Sequence, residues 1–480
     1  MPCYSCLTAI IFCYKVSRLQ KTIIFKRLHR RTMPENNPAN SDCSIAVLTR
    51  FPDPGYTKTR LIPSLGSRGA ARLQHRMTEH VLEQVVSVLP ESQVQVFFQG
   101  GSKKTMRLLY GLNLQYHAQS PGNLGDKLYM AVRKAFSTGN SRIVLIGADC
   151  PGITPQILSR ALHLLQTRQM VLGPALDGGY YLLGLRRTLG LSCARKLLTG
   201  IDWGTEKVLD QTVQKAGQIG VKPCYLQYLR DIDSPGDLDS PDIPCVKEQN
   251  PRISVILPTW NEDTQLGDTL DTINSPDNVE ILVADGGSTD RTSHIAEQNG
   301  ARFIQSPPGR STQMNSAASF ATGSVLLFVH ADTRMPFLYE HLLRNIIRWQ
   351  KVVGGSFAFG LDEYFPGSNL LCLLVNLRSK YLKLPYGDQA MFVLNDVFRS
   401  LGGFPDIPIL EDLELARRMK RYGKITLLPV KVRTSSRRWK ELGLLKTTWI
   451  HQKMLLGSLL GFSYHKLKRS YQRAVANKKK

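Results

Sequence analysis

At 480 residues, with 42% hydrophobic and 21% charged side chains, the chain has the composition of an ordinary globular protein of two or three domains. Its net charge of +24 lies mostly in the tails: +7 in residues 1–33 and +11 in residues 437–480, which leaves +6 for the body. Specific nucleic-acid binding is not the expected reading, because no helix-turn-helix, zinc-finger or stacking-aromatic pattern accompanies the charge.

The nine cysteines are scattered. Cys3 and Cys6 form the one close pair, and no second pair completes a zinc site, so a reduced, cytoplasmic setting is expected. No stretch reaches the roughly 18 apolar residues of a membrane span. Residues 1–42 read as a disordered or extraneous basic N-terminus, with Met33 the expected start.

Residues 43–238 alternate strand and helix signals. The strand Ser44–Thr49 runs into Arg50-Phe-Pro-Asp-Pro-Gly55-Tyr-Thr-Lys58-Thr59-Arg60. Gly55 frees backbone N–H groups, while Lys58 and Arg60 supply the charge a triphosphate needs. A second strand, Arg142–Ile146, ends in Gly147-Ala-Asp149-Cys-Pro-Gly152. Leu176-Asp177-Gly-Gly-Tyr180-Tyr and Arg230-Asp231-Ile-Asp233 follow. Asp149 and Asp233 each leave a strand, and together they offer hard oxygen ligands to Mg²⁺. This set resembles the glycosyltransferase-A-like family related to cofactor guanylyltransferases. The resemblance implies nucleotide binding through Gly55, Lys58, Thr59, Arg60 and Asp177. Residues 239–251, rich in proline and acid, read as a linker.

Residues 252–440 repeat the plan. The strand from Ile253 ends in Pro258-Thr259-Trp260-Asn261-Glu262. The strand Val279–Ala284 ends in Asp285-Gly-Gly-Ser-Thr-Asp290-Arg291, where Asp290 is the expected N-cap of a helix over 292–298. A third strand, Ser324–Val329, ends in His330-Ala-Asp332-Thr333. Tyr386-Gly-Asp388-Gln389, Gly402-Gly-Phe404-Pro405 and Leu410-Glu411-Asp412 complete the series. Leu413, Leu415, Ala416 and Met419 predict a helix with Asp412 in its first turn, where the dipole favours a carboxylate.

The order and spacing of these motifs resemble the inverting family 2 glycosyltransferases of the GT-A fold. Gly309-Arg310-Ser-Thr-Gln313-Met-Asn315 and Pro385–Gln389 look like the subfamily assigned by gene context to arsenosugar biosynthesis. The resemblance implies that Pro258, Thr259, Asn261 and Glu262 cradle the nucleotide of a nucleotide-sugar donor, and that Asp285 meets its base or ribose. It further implies Arg310 on phosphate, and Asp332 on a divalent Mg²⁺ or Mn²⁺. Asp412 is the expected general base with Glu411 beside it, and Asp388 is the alternative base. His330 stands where the family's motif has an acid. Its role stays open between a metal ligand, a phosphate hydrogen bond and packing.

Residues 441–480 read as a basic C-terminal helix and tail, with Leu455, Leu456, Leu459 and Leu460 at helical spacing. Two readings stay open: contact with an anionic membrane surface, at the inner membrane face, or packing on the domain before it. The expected architecture is α/β, two tandem GT-A domains of the Rossmann-like, nucleotide-diphospho-sugar transferase type. The expected function is a glycosyltransferase fused to a nucleotidyltransferase-like domain, acting on a small-molecule or lipid acceptor. Transfer to a carotenoid or other lipid at a membrane is one alternative, and a basic membrane- or RNA-associated binding protein is the other.

Overall fold

The computed structural model describes residues 42–244, 250–274 and 277–476. The expected start at Met33 and the basic N-terminal segment up to residue 41 lie outside the described residues. The chain divides into two compact units, residues 1–101 with 113–244, and residues 102–112 with 245–480.

The first unit holds a seven-stranded sheet: β1 (Cys43–Arg50), β2 (Val94–Gln99), β3 (Gln115–Ala118), β4 (Arg142–Gly147), β5 (Met170–Pro174), β6 (Tyr180–Arg186) and β7 (Cys224–Tyr225). The strand order is β3-β2-β1-β4-β6-β5-β7. β1 to β4 run parallel, β6 lies antiparallel between β4 and β5, and β7 is parallel to β5. Parallel strands are covered on both faces and so read as unbroken apolar runs. In β1, Cys43, Ile45, Ala46 and Val47 are all fully buried. The helices in this stretch are α1 (Ile62–Val86), α2 (Lys103–Tyr110, grouped with the second unit), α3 (Leu124–Ser137), α4 (Pro155–Leu164), α5 (Leu191–Leu198) and α6 (Val208–Gln218). α3 starts on a capping box, Asn123 with Asp126, which satisfies two otherwise orphaned N–H groups. Its Ala131, Val132, Ala135 and Phe136 pack on Ile143, Leu145 and Leu183 of the sheet.

The second unit repeats this order strand for strand. Its sheet holds β8 (Ile253–Thr259), β9 (Val279–Asp285), β10 (Arg302–Gln305), β11 (Val325–Phe328), β13 (Gly354–Ala358), β14 (Met391–Leu394) and β15 (Ile425–Lys431), in the order β10-β9-β8-β11-β14-β13-β15. Again the first four are parallel, the sixth is antiparallel to both neighbours, and the last is parallel to the fifth. β12 (Thr333–Arg334) and β16 (Arg433–Thr434) pair as a separate ribbon. The helices are α7 (Leu266–Ile273), α8 (Thr292–Gln298), α9 (Arg310–Phe320), α10 (Tyr339–Gln350), α11 (Ser368–Leu382), α12 (Asn395–Ser400), α13 (Glu411–Met419), α14 (Arg437–Leu442), α15 (Leu444–Leu459) and α16 (Tyr464–Ala476). Phe328, Met391 and Val393 of the sheet pack against Met314, Ala317, Leu415 and Met419 of α9 and α13. Both units are therefore Rossmann-like mixed α/β sheets of seven strands. Among the described residues, no helix is long and apolar enough to cross a membrane.

Candidate active site

In the second unit the sequence-predicted residues gather at the carboxyl ends of β8, β9 and β11. Register pairs Thr259 with Asp285 at adjacent strand ends. Asp285 is only 2% exposed. One carboxylate oxygen accepts the Gly287 and Ser288 N–H groups at 2.9 and 2.7 Å. The other accepts the hydroxyls of Ser288 and Thr259. The expectation that Asp285 faces a base or ribose thus meets a different local fact: the carboxylate is turned inward and shapes its own loop. Asp290 differs by one position from its expected place. Arg291 stands at the N-cap of α8, and Asp290 supplies the capping oxygen to the Thr292 N–H at 3.0 Å.

The loop after β8 is knitted to the loop after β9. Asn261, held at φ +53°, accepts the Thr289 N–H at 2.9 Å, and its own N–H donates to Ser288 at 2.8 Å. Pro258 is partly buried in the last turn of β8. Gln313, 6% exposed, donates to Thr259 O at 2.6 Å and Ala284 O at 3.0 Å, clamping both strand ends. The sequence reading quoted Gln313 within a motif without a role. Its signal is an amide on the otherwise apolar inner face of α9.

Glu262 comes close enough to Asp332 to feel its charge. Burial pushes the Glu262 carboxyl above the usual range, Asp332 adds to that, and Arg437 and Arg310 pull the other way. Neither acid is tied into the core; Asp332 takes only a long 3.5 Å hydrogen bond from Thr333. Two hard oxygen donors in the loops after adjacent strands suit Mg²⁺ or Mn²⁺ by their chemistry. Arg437, absent from the expected set, is the cation beside them.

A small, partly open cavity of about 10 Å³, room for a single water, is lined by Arg310, His330, Gly387, Glu411 and Asp412 among others. Asp412 sits in the first turn of α13, as expected. Its carboxylate accepts the Leu413 N–H at 2.7 Å and the Gly387 N–H from across the site. Glu411 is 5% exposed, and Arg310 reaches it at 3.5 Å. Burial and then the Asp412 charge push the Glu411 carboxyl up, against the pull of Arg310. Leu410, just before the pair, is held at φ +66°, a left-handed conformation that β- and γ-branched side chains seldom take. His330 packs against Gly387: a side chain at position 387 would bring its Cβ to 2.7 Å from His330 Nε2 and 3.3 Å from Asp412 Oδ2. His330 therefore borders the acid pair rather than simply filling core. Asp388, the alternative base, lies in the single turn Gly387–Gln389 and does not line this cavity.

Among the described residues, one His and carboxylate group has metal-like spacing. It is Asp277, Glu340 and His341, whose ligand atoms lie within 4.8 Å of one another. It precedes β9, at the end of the sheet opposite the acid pair, and does not include Asp332.

The first unit brings its own candidates together differently from the expectation. Lys58, at φ +50° and with a side chain 5% exposed, places its ammonium between Asp149 at 2.8 Å and Asp233 at 3.0 Å. Its third N–H goes to Ile232 O at 2.6 Å. The ammonium thus lies between the two acids that are expected to share a divalent cation. Burial works against the charge, but the two acids outweigh it and hold the Lys58 pKa above its ordinary value. Arg60, largely exposed, bonds the outer oxygen of Asp233 at 3.0 Å. Thr59 opens a single helical turn after an open Gly55. Asp177 is exposed and caps its own turn through the Gly179 N–H at 2.9 Å. Asp231, unnoticed as a candidate, joins this cluster. Burial and the Asp177 charge raise its pKa to about 6.

With this geometry in view, the likenesses to known proteins are informative. Residues 254–396 match Glycosyl transferase family 2. Residues 81–205 match the family described as an uncharacterized protein conserved in bacteria (DUF2064). The chain is similar to the 4,4'-diaponeurosporenoate glycosyltransferase of Staphylococcus haemolyticus, 32% identical over 110 residues. That match covers 21% of this chain and spans only 29% of the relative's length. A solved structure assigned as a nucleotide-diphospho-sugar transferase from Desulfovibrio desulfuricans G20 is 28% identical. It covers 42% of this chain and 90% of its own, with a TM-score of 0.38. A mannosyltransferase from Pyrobaculum calidifontis, solved with GDP-Man and Mn²⁺, is 23% identical over 39% of this chain and 57% of its own, with a TM-score of 0.32. Part of the second unit is thus similar to Glycosyl transferase family 2, and part of the first to a family of uncharacterized bacterial proteins.

Proposed function

We propose that the second unit transfers a sugar from a nucleotide-diphosphate donor to an acceptor hydroxyl with inversion at the anomeric carbon. The observation that carries this reading is the acid pair at the start of α13. Asp412 is aimed by two backbone N–H groups into a cavity that His330 and Arg310 border. Asp412 would take the acceptor proton as the acceptor oxygen bonds to the anomeric carbon and the bond to the diphosphate breaks. Arg310 supplies positive charge on the leaving-group side. Glu262 and Asp332 would hold the divalent ion, which when bound offsets charge on the diphosphate. The loops built around Asn261 and Asp285 would seat the nucleoside.

The motifs Gly309–Asn315 and Pro385–Gln389 support a finer reading, a transferase of arsenosugar biosynthesis. The carotenoid-modifying relative supports a lipid acceptor as the second reading. In the first unit we propose nucleotide binding, with Gly55, Thr59 and Arg60 at the entrance and nucleotidyl transfer as the activity to assay.

Calorimetry with UDP and GDP, with and without Mn²⁺, tests the donor site. The intact chain should bind one of them more tightly with metal, and Asp332→Ala should remove the metal dependence. Equal affinities in all four combinations would remove Asp332 and Glu262 from that role.

A further inference from the structure

We propose that α11 and α15 form a docking face for an anionic lipid surface. α11 carries apolar residues on more than one side, although only one of those sides is covered. Leu371, Cys372 and Val375 pack inward on Phe359, Leu361 and Trp439. On the other side Leu370, Leu373, Leu374 and Leu377 are 39–59% exposed, and they follow one another at spacings of three and four residues. A contiguous row of exposed leucines marks a contact surface rather than an ordinary solvated face.

α15 repeats the pattern. Ile450, Met454 and Leu455 are buried, while Trp449, Leu456, Leu459 and Leu460 are exposed. The two helices meet at their starts, where an added Cβ at Gly367 would lie 2.8 Å from Leu444 Cδ2.

The rim identifies the occupant. Four exposed aromatic rings each carry a lysine ammonium within 6 Å: Tyr364 with Lys431, Tyr381 with Lys380, Trp449 with Lys453 and Phe462 with Lys466. Aromatic rings and long cationic stems surrounding exposed leucines suit the boundary between acyl chains and headgroups. The charge also argues against a second copy of the chain. Residues 439–476 hold seven Lys or Arg and one acid, so this part of the chain repels a second copy of itself and attracts an anionic surface.

The face is wired to the acid pair's neighbourhood. Ser379 of α11 donates to Gln389 at 2.6 Å, and Arg378 stacks over Tyr386 at 3.8 Å. Those partners flank Gly387, whose N–H holds Asp412.

The inference goes beyond sugar transfer and is tested without a donor. The intact chain is floated with vesicles of phosphatidylcholine alone or mixed with phosphatidylglycerol. Wild type should bind the anionic vesicles, and the double variant Leu373→Asp/Leu377→Asp should lose at least roughly tenfold in affinity. Lys380→Glu/Lys383→Glu, which leaves the leucines in place, should lose the preference for anionic vesicles. Both variants should keep the wild-type melting temperature. Three results would each overturn the proposal: no wild-type binding to anionic vesicles, unchanged binding by the leucine variant, or a wild-type dimer that the leucine variant converts to monomer.

Discussion

Asp412→Asn is usually regarded as a near-isosteric way to remove a base, but here the geometry makes it more than that. Both carboxylate oxygens accept backbone N–H groups, one from Leu413 within α13 and one from Gly387 across the site. An amide has a single acceptor oxygen, so its NH₂ must face one of those two donors. The variant loses one charge-assisted hydrogen bond, about 1.5–3 kcal/mol. For a unit of this size that corresponds to a melting temperature lower by roughly 3–10 °C. The catalytic loss is separate, on the order of 10²–10⁴ in turnover. Removing the neighbouring charge also takes away one cause of the raised Glu411 pKa, so Glu411 should titrate at lower pH in the variant. Scanning calorimetry, donor binding and transfer rate on the same preparation separate these effects. Turnover within a few-fold of wild type would refute the assignment of the base. Loss of donor affinity in step with turnover would refute the claim that Asp412 serves the acceptor.

Two changes in the first unit follow from its acid cluster. Lys58→Met leaves Asp149 and Asp233 facing each other. Because both acids reach solvent, the cost should fall below that of a fully buried pair, about 2 kcal/mol by thermal or urea melts. Added Mg²⁺ should raise the stability of the variant but not of wild type, and an equal response in both would show that the ammonium is not standing in for a cation. Asp231→Asn should stabilise the unit at pH 7. The folded pKa of about 6 lies above the ordinary 3.8, so native-state stability is intact below pH 3.8 and is lost as pH rises through 6. The gain is about 3 kcal/mol at full value and roughly half that once solvent screening is allowed for. Melts of wild type and variant from pH 3 to pH 8 should diverge only above about pH 4, and parallel curves would refute it.

The strands and the acids at their ends were legible in the sequence because parallel strands buried on both faces must be apolar runs, and the chain turns polar where they stop. The place of Asp412 in the first turn of α13 was legible for the same reason: helix periodicity begins at Leu413. What local pattern cannot show is closure across the chain. Lys58 meets Asp149 and Asp233 over separations of 91 and 175 residues, so the cation read as a phosphate ligand is already spoken for. Asp285 is similar: its position at a strand end was plain, but the inward turn of its carboxylate depends on Ser288 and Thr259 hydroxyls placed by tertiary structure. The uncovered side of α11 was invisible because leucines in a helix read as core until their neighbours are known.

The two sheets share one strand order, yet one cleft carries its counter-ion covalently and the other, on our reading, must borrow it. A lysine cannot be chelated, diluted away or exchanged for a different ion. Whatever enters the first unit therefore meets Asp149 and Asp233 already paired with Lys58, whatever the divalent-ion content of the medium. The acids of the second unit stay responsive to the divalent-ion content of their surroundings. A single chelator titration on the intact chain would thus act as a selective switch, silencing one half while the other continues unchanged.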